Sequence, residues 1–255
     1  MSAVKIKKLC KVYDLKGKTF EALKNVDLSI EEGSFVTIVG KSGCGKTTLL
    51  RILAGLEDKS SGEVNFGWGS DPQENSGMGS DPQRAPKISI MFQEPRLMPW
   101  LTVKQNMGFS MIDDKDKAQV DKIVTKYLDM LGLTEFKDAY PAQISGGMAQ
   151  RTSIGRTLCY NPELILMDEP LGALDAFNRR KLQNDLIDIF SKNRKTIIFV
   201  THDVEEAIYL GQKVVVMDKG AVIKEIDIHA PYPRKVNSEY FFNLREEILA
   251  LILNE

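Results

Sequence analysis

Apolar residues fall along this chain in two rhythms, short unbroken runs and positions that recur every three or four residues. Phe35-Val36-Thr37-Ile38-Val39, Ile88-Ser89-Ile90-Met91-Phe92 and Thr196-Ile197-Ile198-Phe199-Val200 are runs of strand length and read as buried strands. Leu164-Ile165-Leu166-Met167 has four apolar residues in a row, the mark of a parallel strand covered on both faces. Helical spacing appears at Leu49, Leu50, Ile52 and Leu53, with Gly55 as a stop, and at Leu182, Leu186, Ile189 and Phe190. Thr102 to Asp138 reads as helical, with Val120, Ile123, Val124, Tyr127, Leu128 and Leu131 on one stripe. Val204 to Leu210 predicts a short helix, and a last one carries Phe241, Leu244, Ile248, Leu249 and Ile252.

The N-terminal segment is patterned differently. Val4, Ile6, Leu9, Val12 and Tyr13 alternate imperfectly, and Val26, Leu28 and Ile30 alternate cleanly before a Glu31-Glu32-Gly33 turn. These segments predict an antiparallel layer leading into the strand at 35–39. Val214 to Met217 and Ala221 to Ile223 predict a hairpin around Lys219-Gly220. Residues 67–86 contain Gly-Ser-Asp-Pro-Gln twice and almost nothing to bury, so a surface loop is expected between two strands.

Composition narrows the function classes. The net charge is −1, with 34 basic and 35 acidic residues, which argues against a nucleic-acid-coating surface. Three cysteines (Cys10, Cys44, Cys159) without paired spacing suit a reducing compartment and no disulfide framework. No apolar stretch reaches the ~18 residues that would span a membrane, so a role at a membrane would need a partner that does.

The chemistry begins where the first apolar run turns into a helix. Gly40-Lys41-Ser42-Gly43-Cys44-Gly45-Lys46-Thr47 fits G-x-x-x-x-G-K-[ST], the phosphate-binding P-loop. Its glycines let backbone N–H groups converge on phosphate oxygens at a helix N-terminus. Lys46 would reach the β- and γ-phosphates and the Thr47 hydroxyl would bind Mg²⁺. Asp168-Glu169 ends another strand; the pair could cap a helix, but Pro170 follows at once and argues against that use. His202 lies at a third strand's C-terminus and Gln93 at the end of the 88–92 strand. In open α/β sheets ligands bind beyond the carboxyl ends of the strands, so the four sites are expected on one sheet edge. His202 is read equally as structural or functional. Ser145 is a good N-cap, and Gly146 and Gly147 expose further N–H groups; this start reads as a capped helix or as a second anion site. Taken alone, Tyr13 reads as a core or edge tyrosine.

In this order the motifs resemble the ATP-binding subunits of ABC transporters along nearly the whole chain. The Walker A segment 40–47, Q-loop Gln93, signature Ile144-Ser145-Gly146-Gly147-Met148-Ala149-Gln150, Walker B segment 164–169, D-loop Ala173-Leu174-Asp175 and switch His202 carry the likeness. Met98-Pro99-Trp100-Leu101-Thr102-Val103, the Ser-Gly-Gly-Met-Ala-Gln-Arg run and the short C-terminal helix narrow it to importers of the nitrate, sulfonate and taurine type. The resemblance implies an α/β fold with a P-loop (RecA-like), mostly parallel sheet core, an N-terminal antiparallel β layer and an inserted α-helical subdomain. One ATPase domain is expected over 1–255, with the helical subdomain at about 94–158, the loop at 67–86 and a C-terminal helix at 237–255.

The resemblance also implies roles. ATP would be held by Gly40, Lys41, Ser42, Gly43, Cys44, Gly45, Lys46, Thr47 and Thr48, with Tyr13 stacked on adenine. Thr47, Gln93 and Asp168 would hold Mg²⁺, Asp168 through water. Glu169 would be the general base, and His202 would link it to the γ-phosphate. Ser145, Gly146 and Gly147 would bind the γ-phosphate of ATP on a second subunit. A homodimer or pseudo-dimer closed by ATP is therefore expected, on transmembrane permease subunits at the cytoplasmic face of the inner membrane. A periplasmic or extracellular solute-binding protein would act indirectly, and no nucleic acid is expected. Three departures stand out: Ile144 replaces the usual leucine, Lys41 a proline, and Gly155 an alanine, the last at a cost of about 1 kcal/mol of helix propensity. The competing readings are a soluble ABC-type ATPase not tied to a permease, and a P-loop kinase, which would need no Ser-Gly-Gly helix.

Overall fold

A computed structural model describes residues 2–15, 17–67, 86–114, 116–172, 174–193 and 195–253. The loop expected over 67–86 falls almost wholly outside them, as does Ala173 of the expected D-loop. The strands are β1 (Ser2–Leu15), β2 (Lys18–Glu31), β3 (Phe35–Val39), β4 (Ser61–Phe66), β5 (Ile88–Met91), β6 (Leu164–Asp168), β7 (Thr196–Thr201), β8 (Lys213–Asp218) and β9 (Ala221–Asp227). The helices are α1 (Lys46–Leu53), α2 (Val103–Gly108), α3 (Lys117–Met130), α4 (Gly146–Cys159), α5 (Ala176–Asn193), α6 (Val204–Leu210) and α7 (Glu239–Leu253).

Two sheets result. β1, β2 and β4 form an antiparallel layer in the order β2-β1-β4. A six-stranded sheet runs β5-β6-β7-β3-β8-β9, parallel except for β9, which pairs antiparallel with β8 through the Lys219-Gly220 turn. The short apolar runs are its central strands, and their alternate residues feed opposite faces. Phe35, Val39, Ile165, Met167, Ile197 and Phe199 enter a core shared with α4 to α7. Val36, Ile38, Leu164, Leu166, Ile198 and Val200 enter a second core with α1 and the antiparallel layer. Coverage on both faces explains why these strands read as unbroken apolar runs. The parallel strands all point their carboxyl ends the same way, which gathers the loops after β3, β5, β6 and β7.

The stretch from Thr102 to Asp138 is not one continuous helix. α2 ends at Gly108, a tight turn covers Phe109–Met111, and α3 starts afresh under the Asp116 side chain, which accepts from the Gln119 N–H. Gly132, at φ +63°, lies just beyond the end of α3, a conformation only glycine adopts without strain. Within α3 the expected stripe holds: Val124 and Leu128 are buried, with Val120, Ile123 and Tyr127 packed against the core.

Gly155 has a packing reason that helix propensity hides. A Cβ there would lie 2.3 Å from Met107 Cε and 3.1 Å from Leu131 Cδ1. Met107 is fully buried, and the end of its side chain occupies the space that a side chain at 155 would take. Among the described residues no helix is long and apolar enough to cross a membrane.

Candidate active site

The phosphate loop follows β3 directly. Gly40 is packed so tightly that a Cβ would sit 2.1 Å from the Met217 carbonyl oxygen. Gly45 has φ +105°, and a Cβ there would lie 2.5 Å from the Ala22 carbonyl oxygen. Larger residues at either place would open the loop. Lys46 is only 5% exposed; its Nζ donates to the Gly40 carbonyl at 2.8 Å and to the Lys41 carbonyl at 3.1 Å. The ammonium is thus folded back under the loop, held by two neutral acceptors that a phosphate could replace. Cys44 is buried beneath it, and burial raises its thiol pKa.

The strand ends bring three further groups to this loop. Thr47 Oγ1 donates to Asp168 Oδ1 at 3.1 Å. Burial, the largest effect, raises the Asp168 carboxyl above its ordinary range; the Thr47 hydrogen bond pulls the other way. Glu169 follows with φ +44°, a left-handed backbone that costs a non-glycine residue about 1–3 kcal/mol and recurs at functional sites. Its N–H is fixed to the Val200 carbonyl at 2.9 Å, and its Oε2 meets Gln93 Nε2 at 3.4 Å and His202 Nδ1 at 3.1 Å. With Glu169 ionised, His202 Nδ1 carries the proton of that bond. β5 stops at Met91, so Gln93 stands in the loop beyond the strand and not at its last residue. A cavity of about 550 Å³ opens here, lined by Thr47, Arg51, Phe92, Gln93 and Asp168 among others.

Tyr13 is half-buried near the end of β1. Burial and the neighbouring Glu57 raise its hydroxyl pKa, Thr48 pulls the other way, and Lys11 Nζ lies 4.9 Å from its ring centre while pairing with Glu57 at 3.2 Å. The ring is therefore braced against α1 beside the phosphate loop.

Ser145 caps α4, its Oγ accepting from the Met148 N–H at 3.3 Å. Gly146 is open to space, and Gly147 faces the Leu174 side chain. Among the described residues, none of the hydrogen bonds of Ser145, Gly146 and Gly147 reaches the phosphate loop of the same chain.

Three residues that apolar patterning does not single out, one of them Gln150 at the end of the signature run, wire α4 and α2 to this region. Arg156 donates to the carbonyls of Pro95 at 2.9 Å and Arg96 at 3.0 Å, holding the segment after Gln93. Gln150, fully buried, donates to the Pro170 carbonyl, next to Glu169, at 2.5 Å. Asn106, also buried, ties α2 to the carbonyls of Met98, Leu101 and Thr102 at 3.1, 2.9 and 3.1 Å. That bracket leaves Trp100 69% exposed.

A P-loop lysine, a hydroxyl–carboxylate pair beside it and a carboxylate–imidazole pair beyond define a nucleoside-triphosphate hydrolase of the P-loop class. The chain belongs to the ABC transporter family, whose model matches residues 23–172, and it is an ATP-binding, ATP-hydrolysing cassette of that family. It is 41% identical over 248 residues to an aliphatic sulfonates import ATP-binding protein of Bacillus cereus, covering 96% of this chain and 94% of that one. An uncharacterized ABC transporter ATP-binding protein of Methanocaldococcus jannaschii is 42% identical, over 99% of this chain and 92% of its own. Among solved structures, a dimeric ATP-binding cassette in a post-hydrolysis state with ADP and Pi superposes with a TM-score of 0.76 at 33% identity, covering 89% of this chain and 100% of that one.

Proposed function

We propose that this chain is the ATP-hydrolysing subunit of an importer for a small solute of the nitrate, sulfonate or taurine type. Two copies sandwich two ATP molecules and drive permease subunits at the cytoplasmic face of the membrane, with a solute-binding protein acting outside it. The observation that carries the reading is the meeting of Thr47 with Asp168, and of Gln93 and His202 with Glu169, at one strand edge beside Lys46. The import class rests on the sulfonate-import relatives.

Lys46 exchanges loop carbonyls for β- and γ-phosphate oxygens, and the loop N–H groups from Gly40 to Thr48 hold the rest of the triphosphate. Tyr13 stacks on adenine. Thr47, Asp168 and Gln93 offer hydroxyl, carboxylate and amide oxygens, a donor set that fits Mg²⁺. Among the described residues no cluster of three or more His, Cys, Asp or Glu is built to hold a metal, and Mg²⁺ needs none, since it keeps waters and phosphate oxygens as ligands. When bound, Mg²⁺ neutralises charge on the β- and γ-phosphates. Glu169 orients the attacking water and takes its proton; His202 holds Glu169 and faces the γ-phosphate. The work is positioning and electrostatics. Ser145, Gly146 and Gly147 complete the site of the second copy.

The test is co-purification with the permease subunits and ATPase measurement of wild type and Lys46→Ala. Tight co-purification with Mg²⁺-dependent turnover, lost in Lys46→Ala, is the expected result. Full turnover in Lys46→Ala overturns the site; a fully active chain that never associates with a permease favours the soluble ATPase.

A further inference from the structure

His202 is exposed, yet the backbone that carries it is clamped from both sides. Thr201 Oγ1 accepts from the Asp203 N–H at 3.0 Å and donates to Glu206 Oε2 at 2.6 Å. Asp203 Oδ1 in turn accepts from the Glu206 N–H at 3.1 Å. Glu206 is only 6% exposed, and its other oxygen accepts from Gln183 Nε2 at 3.1 Å; Gln183 is 4% exposed. One turn earlier on α5, Arg179 lies 3.6 Å from Asp203. α5 begins immediately after Asp175.

A carboxylate is an expensive group to bury. Burial raises the Glu206 carboxyl, and the hydrogen bonds from Thr201 and Gln183 only offset that cost. An acid in the first turn of α6 favours the helix dipole, but the exposed Glu205 supplies that without burial. What Glu206 adds is a junction: its carboxylate joins Thr201, just before His202, to Gln183 on α5, while its backbone N–H holds Asp203 just after.

We propose that Glu206 is a positioning residue for hydrolysis, fixing through Thr201 and Gln183 the turn that aims His202 at Glu169 and making that aim depend on where α5 stands. The inference rests on the reading of His202 as a group that acts at the γ-phosphate. Without the carboxylate, the Thr201 hydroxyl and the Gln183 amide lose their shared partner, and the contact between His202 and Glu169 becomes one of several orientations. Lys46 and Tyr13 are untouched, so the loss falls on the chemical step and spares ATP affinity.

The experiment measures kcat and the ATP Kd for Glu206→Ala, Glu206→Gln, Thr201→Val and Gln183→Leu, each alone and combined with His202→Ala, in the full chain. Residual hydrolysis in the His202→Ala backgrounds is followed by single-turnover quench. Thr201→Val and Gln183→Leu keep side-chain size and guard against a Glu206→Ala protein that fails to fold. The expected result is a fall in kcat of about tenfold or more for Glu206→Ala and Thr201→Val, with Kd changed less than about twofold, and no further fall when either is added to His202→Ala. Glu206→Gln, whose amide oxygen still accepts from Thr201, should fall between. Wild-type kcat in His202→Ala overturns the reading of His202 itself. Collapse in His202→Ala with wild-type behaviour of Thr201→Val and Gln183→Leu overturns the positioning role alone. An equal loss with and without His202 also overturns it, because Glu206 would then act by another route.

Discussion

Thr47 and Asp168 are 121 positions apart in the chain, yet the hydroxyl of one donates to the carboxylate of the other across 3.1 Å. The contact joins the first turn of α1 to the last residue of β6 and leaves a desolvated carboxylate beside the phosphate loop. Burying that carboxylate is a cost to the fold.

The sign of the cost predicts a pH effect. Burial first, and Glu169 beside it, raise the Asp168 carboxyl in the folded protein. A carboxyl raised on folding contributes stability that is present below its unfolded pKa and is lost as pH rises through the folded value. Once ionised, Asp168 is therefore destabilising in the nucleotide-free protein. Asp168→Asn keeps an oxygen for Thr47 and removes the charge. It should raise the melting temperature by about 2–4 °C per kcal/mol recovered, with the gain shrinking as pH falls into the carboxylate range. The same variant should lose at least about a hundredfold in Mg²⁺-dependent turnover. Calorimetry across pH, with a Mg²⁺ titration of ATPase rate, checks both; a variant that melts lower at every pH would sink the cost argument.

Gly155→Ala sets packing against propensity. Alanine gains about 1 kcal/mol in an isolated helix. Here its Cβ would press on Met107 Cε at 2.3 Å inside a buried α2–α4 contact. Overpacking of this kind costs about 1–3 kcal/mol. The expected outcome is a net loss of stability, measured by denaturant titration, and a smaller loss from the same substitution in a Met107→Ala background. A gain in stability would mean that Met107 swings aside freely.

The sheet was legible in the residues for a physical reason. Strands buried on both faces must be apolar at nearly every position, so Phe35–Val39 and Leu164–Asp168 announce themselves without knowledge of their neighbours. Phosphate-loop glycines and strand-end acids carry their chemistry in local order. Asn106, Gln150 and Arg156 do not: each serves a backbone carbonyl elsewhere, and neither periodicity nor spacing records which carbonyl. Gly155 misled for the same reason, since its partner Met107 lies on another helix. The break between α2 and α3 was hidden because Val103, Met107, Val124 and Leu128 all feed one core and extend a helical rhythm across the gap.

Tyr13→Ala is expected to weaken ATP binding while leaving kcat at saturating ATP near normal. The ring is braced by Glu57, Thr48 and Lys11, away from the carboxylate–imidazole pair at Glu169 and His202. Base stacking contributes about 1–3 kcal/mol, so Kd should rise about five- to 150-fold. Equilibrium binding with ATP, alongside steady-state turnover, checks it; a collapse of kcat with affinity intact would give Tyr13 another role.

The last prediction concerns the second copy. Ser145 and Gly146 offer a hydroxyl and open backbone at the start of α4, with no bond to their own phosphate loop among the described residues. If they bind the γ-phosphate of ATP on another chain, ATP is part of the interface and must be kept intact for the interface to last. Glu169→Gln keeps the side chain's shape and its place between Gln93 and His202 while removing the base. ATP then persists, and a ligand that binds only the associated state stabilises it by mass action. The expected outcome is a monomer without nucleotide and a dimer with ATP, read by light scattering of Glu169→Gln at high protein concentration. Adding Ser145→Arg, which fills the space in front of α4, should return the protein to monomer under the same conditions. A double variant that still dimerises with ATP would remove Ser145 from the shared site. A Glu169→Gln protein that stays monomeric with ATP, both alone and when assembled on the permease, would remove the sandwich itself.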